Sequence, residues 1–204
     1  MSNLAELKIA LDPNNPRNIL PPSLPPSHVV LDIGCGAGQT MIASYPDRVS
    51  YGIDISLDAL KMGRALTDRV RFTQGTAEQL PFRSESFDLV VARVSLPYTN
   101  LRKSLPEIYR ILRPGGRMWA TLHPIGIPYE QAGLSNFKGK LLFLYVAVNG
   151  ILLHLGLPQL SLFGSSESFQ TCRGMRLALE ASGFEGISVG FQKIHLLAEA
   201  RRPS

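Results

Sequence analysis

The segment Leu31–Thr40, LDIGCGAGQT, gathers the residue types that can hold a ligand. An apolar run ends in Gly34, Gly36 and Gly38, and a helical pattern opens directly behind them. Glycines at such a junction let the backbone turn sharply and come close to a ligand, and a helix N-terminus offers unpaired N–H groups. In open α/β sheets a loop of this kind lies at the carboxyl end of a strand, where ligands bind. The spacing selects the ligand. A dinucleotide loop needs G-x-G-x-x-G, and position 39 is Gln. The lysine of a nucleoside-triphosphate loop is missing as well. Asp32, just below the glycines, would repel a pyrophosphate but suits a cationic ligand or an amino group. It can equally brace the loop by accepting backbone N–H bonds. Asp54 closes a second apolar run, and its two oxygens match a vicinal diol. The bland alternative is a strand-end Asp beside Ser56, a plausible helix N-cap. Cys35 is small enough to pack beside a ligand, and nothing marks it as a nucleophile.

The elements that must position these residues alternate. Strands are expected at His28–Ile33, Val49–Asp54, Val70–Gln74, Phe87–Arg93 and Arg117–His123. Helices are expected at Gly38–Tyr45, Leu57–Leu66 and Leu101–Leu112, the last ended by Pro114-Gly115-Gly116. Phe87–Arg93 is almost wholly apolar, as a strand covered on both faces should be. This alternation predicts a doubly wound, mostly parallel sheet of seven strands with helices on both faces. A helix over Arg173–Ser182 and two strands near Gly186–Phe191 and Lys193–Ala200 complete it. The last two are too close in sequence for a crossover, so one strand is antiparallel. Ahead of the sheet, a short helix at Ser2–Leu11 leads into the proline-rich stretch 12–27, an extended leader.

With these residues in order, the chain resembles the class I S-adenosylmethionine-dependent methyltransferases, in their short small-molecule, type 11-like branch. The resemblance covers roughly Val29–His123, with a looser match over Arg173–Ala200. It rests on Asp32-x-Gly34-x-Gly36-x-Gly38, Tyr51-Gly52-Ile53-Asp54-Ile55, the segment Gly75–Phe82 (GTAEQLPF), Phe87–Val91 (FDLVV) and Leu112–Gly116 (LRPGG). It implies a Rossmann-like fold, S-adenosyl-L-methionine as cofactor and S-adenosyl-L-homocysteine as product. By the same resemblance Asp54 and Ile55 meet the ribose, and Thr76, Ala77 and Glu78 lie along the adenine. Glu78 can also be a solvated turn residue. Arg93 either contacts the methionine carboxylate or offers only its backbone. Many family members place an Asn or His after strand four, whereas this chain has Arg93-Val94-Ser95-Leu96-Pro97-Tyr98. No catalytic residue is therefore carried over.

Methyl transfer from a sulfonium asks the protein chiefly to align the acceptor and exclude water. If a base is needed, His123, after the fifth strand, is the candidate by position. Tyr98, Tyr129 and His154 join His123 as candidate substrate contacts. No acid cluster has metal-ligand spacing, so no metal is expected.

Between Lys140 and Glu167 there is no charged residue, and Leu141–Leu157 is apolar on nearly every helical face. A helix apolar all round is buried in protein or in lipid. The run reaches the ~20 residues of a membrane span only by crossing Pro158. Ile125–Ser168 is read as a lid-like insertion for a lipophilic substrate, with peripheral membrane contact or a homodimer interface as further uses. The chain of 204 residues carries 21 basic against 16 acidic side chains, and the basic ones never cluster beyond pairs. No nucleic-acid partner is expected. With 45 % apolar and 18 % charged residues, one globular domain over 1–204 is expected. Two cysteines rule out a disulfide framework, and the first residues show no secretory signal, so a cytoplasmic setting, membrane-associated if the apolar run meets lipid, is the expectation. The leading function is methyl transfer to a small, apolar acceptor. The rivals are a nucleic-acid or protein methyltransferase and a non-catalytic cofactor-binding subunit of the same fold.

Overall fold

The computed structural model describes residues 3–12, 14–15, 17–126, 137–162 and 166–204. Strands β1 (Val30–Ile33), β2 (Ser50–Asp54), β3 (Val70–Gln74), β4 (Phe87–Arg93), β5 (Leu112–Leu122), β6 (Glu185–Gln192) and β7 (His195–Arg201) form one sheet in the order β3-β2-β1-β4-β5-β7-β6. All neighbours are parallel except β7, which runs antiparallel to both β5 and β6. The chain winds outward from β1 in one direction and from β4 in the other. The switch therefore falls between β1 and β4, where Leu31 pairs with both Tyr51 and Val90.

Helices α1 (Asn3–Leu11), α2 (Gln39–Ser44), α3 (Leu57–Leu66), α4 (Leu101–Ile111), α5 (Phe137–His154) and α6 (Cys172–Ala181) complete the described fold. Leu89 to Ala92 of β4 are all buried, and they face the two sides of the sheet in turn. Val90 and Ala92 pack with Leu105 and Ile108 of α4 and Met175 and Leu179 of α6. Leu89 and Val91 turn the other way, toward Met41, Tyr45 and Ile19. Ile19 belongs to the leader, which is tied down rather than loose. The Tyr45 hydroxyl donates to Pro22 O at 2.6 Å, and the Arg48 guanidinium donates to Leu24 O and Pro25 O.

Two expectations change. Pro114-Gly115-Gly116 does not separate helix from strand, because β5 starts at Leu112, directly behind α4. Phe87 pairs with Leu112 but Leu89 pairs with Arg117, so the residues between form a bulge in which Gly115 takes φ 76°. The second change concerns the apolar insertion. Its helix is not enclosed on every side. Gly139, Val146, Asn149, Gly150 and Leu153 are buried, while Phe137, Leu141, Leu144 and Ile151 are each more than half exposed. The inner face fits tightly. A Cβ on Gly150 would collide with the Phe169 ring, and one on Gly174 would lie 2.7 Å from Leu153 O.

Candidate functional site

At the carboxyl edge of the parallel strands, β1 ends in the glycine loop and β2 ends in Asp54. The Asp54 carboxylate joins the two. Oδ2 accepts from Gly36 N at 2.8 Å, and Oδ1 accepts from Ser56 N at 2.8 Å. Gly34 N and Cys35 N both donate to Ile53 O, and Gly38 N donates to Cys35 O. These four loop N–H groups, all ahead of the helix that starts at Gln39, are satisfied within the protein. What the loop offers a ligand is close approach. A side chain at Gly34, which holds φ 69°, would collide with Ser95 Cβ. Ser95 in turn donates its hydroxyl to Ile33 O at 2.6 Å, clamping the loop from the end of β4.

Asp32 lies beneath this loop, 1 % exposed. Neither oxygen makes a hydrogen bond of acceptable geometry. The bracing role open to it in the sequence therefore has no counterpart here. Burial pushes its carboxyl up to about 7, against the Arg93 guanidinium and the nearby Thr40 hydroxyl, with the Asp54 charge adding to the rise. Arg93 ends β4 opposite Thr121 and faces Asp32 electrostatically. A buried, unbonded carboxylate is costly in an empty protein and well matched to a cationic group arriving in the cleft. Cys35 is buried with its Sγ toward Gly36 O, and burial raises the thiol far above the reactive range.

Ile55, beyond Asp54, is 70 % exposed, an apolar surface beside the Asp54 carboxylate. Thr76 is exposed and Ala77 buried. Glu78 is half-buried and already engaged, because Oε1 accepts from Asn100 N at 3.0 Å. Asn100 in turn caps α4 through Arg102 N.

Farther along the same edge, His123 follows β5 and His195 opens β7. Their rings stack at 6.3 Å, and Tyr98 stands edge-on to His123 at 5.9 Å. Burial first, and then the His195 charge, pushes His123 down to about 4, so its ring is neutral at pH 7. Its backbone is fixed from both sides, with N donating to Gln170 Oε1 and O accepting from Gln170 N. The structure thus brings Tyr98 and His123 together. His154 has a different post: its Nδ1 meets the Thr171 hydroxyl at 3.0 Å, joining α5 to the N-cap of α6. Tyr129 lies outside the described residues. Among the described residues no cluster of His, Cys, Asp or Glu could hold a metal ion.

Sequence reasoning missed Ser95, Gln170 and His195. The signal for His195 was available, because an antiparallel last strand must start at the edge where β5 ends. Ser95 had none, since it depends on Val94 taking φ 61°, a conformation a β-branched residue rarely adopts.

The comparisons with known proteins agree with this geometry. The family model described as "Methyltransferase domain" matches residues 31–120. The demethylmenaquinone methyltransferase of Lactococcus lactis is 30 % identical over 177 residues, covering 80 % of this chain and 68 % of that protein. The phthiotriol/phenolphthiotriol dimycocerosates methyltransferase of Mycobacterium tuberculosis is 39 % identical over 104 residues, covering 47 % of this chain and 38 % of that one. Among solved structures, a complex of the Haloferax volcanii Trm112 methyltransferase activator with a putative methyltransferase superposes at TM-score 0.66 and 18 % identity, covering 98 % and 92 % of the two chains. A sheet order with β7 inserted antiparallel, a glycine loop after β1 and an acid after β2 define the class I methyltransferase fold, and this chain belongs to the class I S-adenosylmethionine-dependent methyltransferases. It carries a methyltransferase domain whose cofactor is S-adenosylmethionine. The chain spans only 38–52 % of the length of several of the curated methyltransferases it matches.

Proposed function

We propose that the protein transfers a methyl group from S-adenosylmethionine to a small, lipophilic acceptor held between the Tyr98–His123 pair and the apolar insertion. The observation that carries the reading is Asp32, a fully buried carboxylate without a hydrogen bond beneath a glycine loop, beside Asp54. The residues fit the cofactor. Asp32 suits its ammonium, Asp54 retains lone pairs for the ribose diol, and Ile55 offers apolar surface for the nucleoside. When bound, the cofactor supplies a methyl group already activated on sulfonium. The chain's own task is to orient the acceptor and keep water out. His123, neutral but weakly basic at about 4, serves better as a hydrogen-bonding contact than as a proton sink. That favours an acceptor arriving with a free lone pair or already deprotonated. Lipophilicity is supported by the apolar insertion and by two relatives whose names specify demethylmenaquinone and phthiotriol/phenolphthiotriol dimycocerosates. The thiols of Cys35 and Cys172 are unpaired, in keeping with a reducing, cytoplasmic setting.

Calorimetric titration with S-adenosylhomocysteine tests the cofactor half. Micromolar binding is expected, weakened at least about tenfold by Asp54→Ala, which removes the diol acceptor and the Gly36 N partner together. A folded protein that ignores the ligand would refute the reading. A second reading, a non-catalytic cofactor-binding subunit of the same fold, is favoured by one observation: the segment after β4, Arg93-Val94-Ser95-Leu96-Pro97-Tyr98, lacks the Asn or His many family members place there. Cofactor binding without turnover across a broad lipophilic panel would select it.

A further inference from the structure

We propose that the outward face of α5 docks on an anionic lipid bilayer, lying along the surface rather than crossing it. The inner face of the helix is committed to the protein through Val146, Asn149, Gly150 and Leu153. The opposite face carries Phe137, Leu141, Leu144, Val148 and Ile151, all exposed, at steps of four and three residues that keep them in one stripe. A helix apolar on both faces satisfies each against a different medium, here protein on one side and lipid on the other. The whole helix is long and apolar enough to span a membrane by composition, but burial of its inner face against Phe169 and α6 holds it sideways.

Charge chooses between a lipid surface and a second copy of the chain. Lys138 and Lys140, both exposed, flank the stripe at its first turn. At the far end the exposed Arg102 donates Nη2 to Gly156 O at 3.0 Å, placing a third cation there. From residue 137 to residue 166 the sequence has no Asp or Glu. A second copy laid against this stripe would bring the same lysines and no carboxylate from the helix, whereas anionic headgroups complement cations at both ends. The area argues the same way. A stripe of 18 residues is roughly 27 Å long and covers on the order of 300 Å², while a stable dimer wants about 800 Å² from each partner. It also falls short of the three or four heptads that sustain a coiled coil. Long basic side chains beside an apolar helix face can keep their charge at headgroup level while their stems lie on the apolar surface.

The test is sedimentation of the full chain with vesicles of phosphatidylcholine alone and with about 30 % phosphatidylglycerol. Binding to the anionic vesicles is expected, weakened at least about tenfold by Leu144→Gln with Ile151→Gln. Lys138→Glu with Lys140→Glu, or added salt, should weaken it severalfold. Phe191→Ser, at an exposed apolar residue of β6, should leave it unchanged. A wild-type protein that stays in the supernatant with both vesicles overturns the proposal. So does binding that survives the Leu144/Ile151 change, or a dimer in light scattering that the same change dissolves. Titration of each variant with S-adenosylhomocysteine reports that it is folded. The docking result therefore stands apart from the fate of the methyl-transfer reading.

Discussion

Two regions of this molecule bury polar side chains, and they treat them in opposite ways. Under the insertion, Asn149 is fully buried, donating to Leu160 O and Glu167 O and accepting from Leu160 N. Gln159 accepts from Leu101 N and donates to Ser166 O and Ser168 Oγ, and Gln170 brackets the His123 backbone. Under the glycine loop, Asp32 is as deeply buried, and neither of its oxygens makes a well-formed hydrogen bond, with only the Thr40 hydroxyl and the Arg93 charge nearby. Satisfied buried groups specify and stiffen a structure, whereas an orphan marks a place where stability has been given up for a ligand. The insertion's polar residues are therefore architecture, fastening α5 to the segment that follows it and that segment to the start of α4 and the end of β5. Asp32 is machinery.

The sharpest way to break this contrast is to neutralise the orphan. With its pKa raised from 3.8 to about 7, Asp32 holds a proton in the folded chain that the unfolded chain has already released. Its contribution is favourable below pH 3.8, fades as pH rises, and becomes a full cost above 7. Asp32→Asn should thus stabilise the empty protein at pH 8 by on the order of 4 kcal/mol in denaturant unfolding, while weakening S-adenosylhomocysteine binding. His123 pulls the other way. Its pKa is lowered from 6.5 to about 4, so acid protonates the unfolded chain first and stability falls by about 3 kcal/mol between those values. The two slopes oppose each other in the wild type, which should look nearly flat from pH 6.5 to 4. Asp32→Asn should uncover the acid loss, and His123→Gln should reverse it. A variant with the wild-type profile would mean that the group does not titrate as its burial requires.

The parallel sheet, its switch point and the antiparallel final strand were legible because they follow from apolar period and connection length. The glycine loop and its two acids were legible for a similar reason, since their spacing is local. What escaped were properties of tertiary contact. That Asp32 lacks a bond, that the loop's N–H groups are spent on Ile53 and Asp54, and that β5 begins inside Leu112–Gly116 depend on segments far apart in sequence. Composition identified an apolar insertion but could not show which of its faces is covered. The covering residue, Phe169, comes after the run ends and meets it only through the absence of a side chain at Gly150.

The architectural half of the contrast is tested at Asn149. Asn149→Leu keeps the branched shape and removes the amide, leaving Leu160 N, Leu160 O and Glu167 O without their partner. A loss of about 2 kcal/mol in unfolding free energy is expected, since each stranded buried group costs about 1–3 kcal/mol and some regain water or relaxed geometry. S-adenosylhomocysteine affinity should stay at the wild-type value. A variant with normal stability and impaired binding would place Asn149 in the machinery instead.

Glu78 sits where the two regions meet, and the smallest effect separates its roles. Its Oε1 accepts from Asn100 N; Asn100 precedes Leu101, whose N–H is held by Gln159 from the insertion. The carboxylate therefore touches the cofactor-side segment and the anchor of the insertion at once. Glu78→Gln preserves an acceptor oxygen for Asn100 N but removes the charge, and for a half-exposed group this should change stability by less than about 1 kcal/mol. If the charge also accepts a hydrogen bond from the adenine, S-adenosylhomocysteine binding in calorimetry should weaken severalfold while unfolding stays put. If Glu78 only braces α4, neither measurement moves. Glu78→Ala then supplies the contrast: removing the acceptor frees Asn100 N, and both the α4 anchor and the insertion it holds should loosen, with stability falling by about 1 kcal/mol whatever the ligand does.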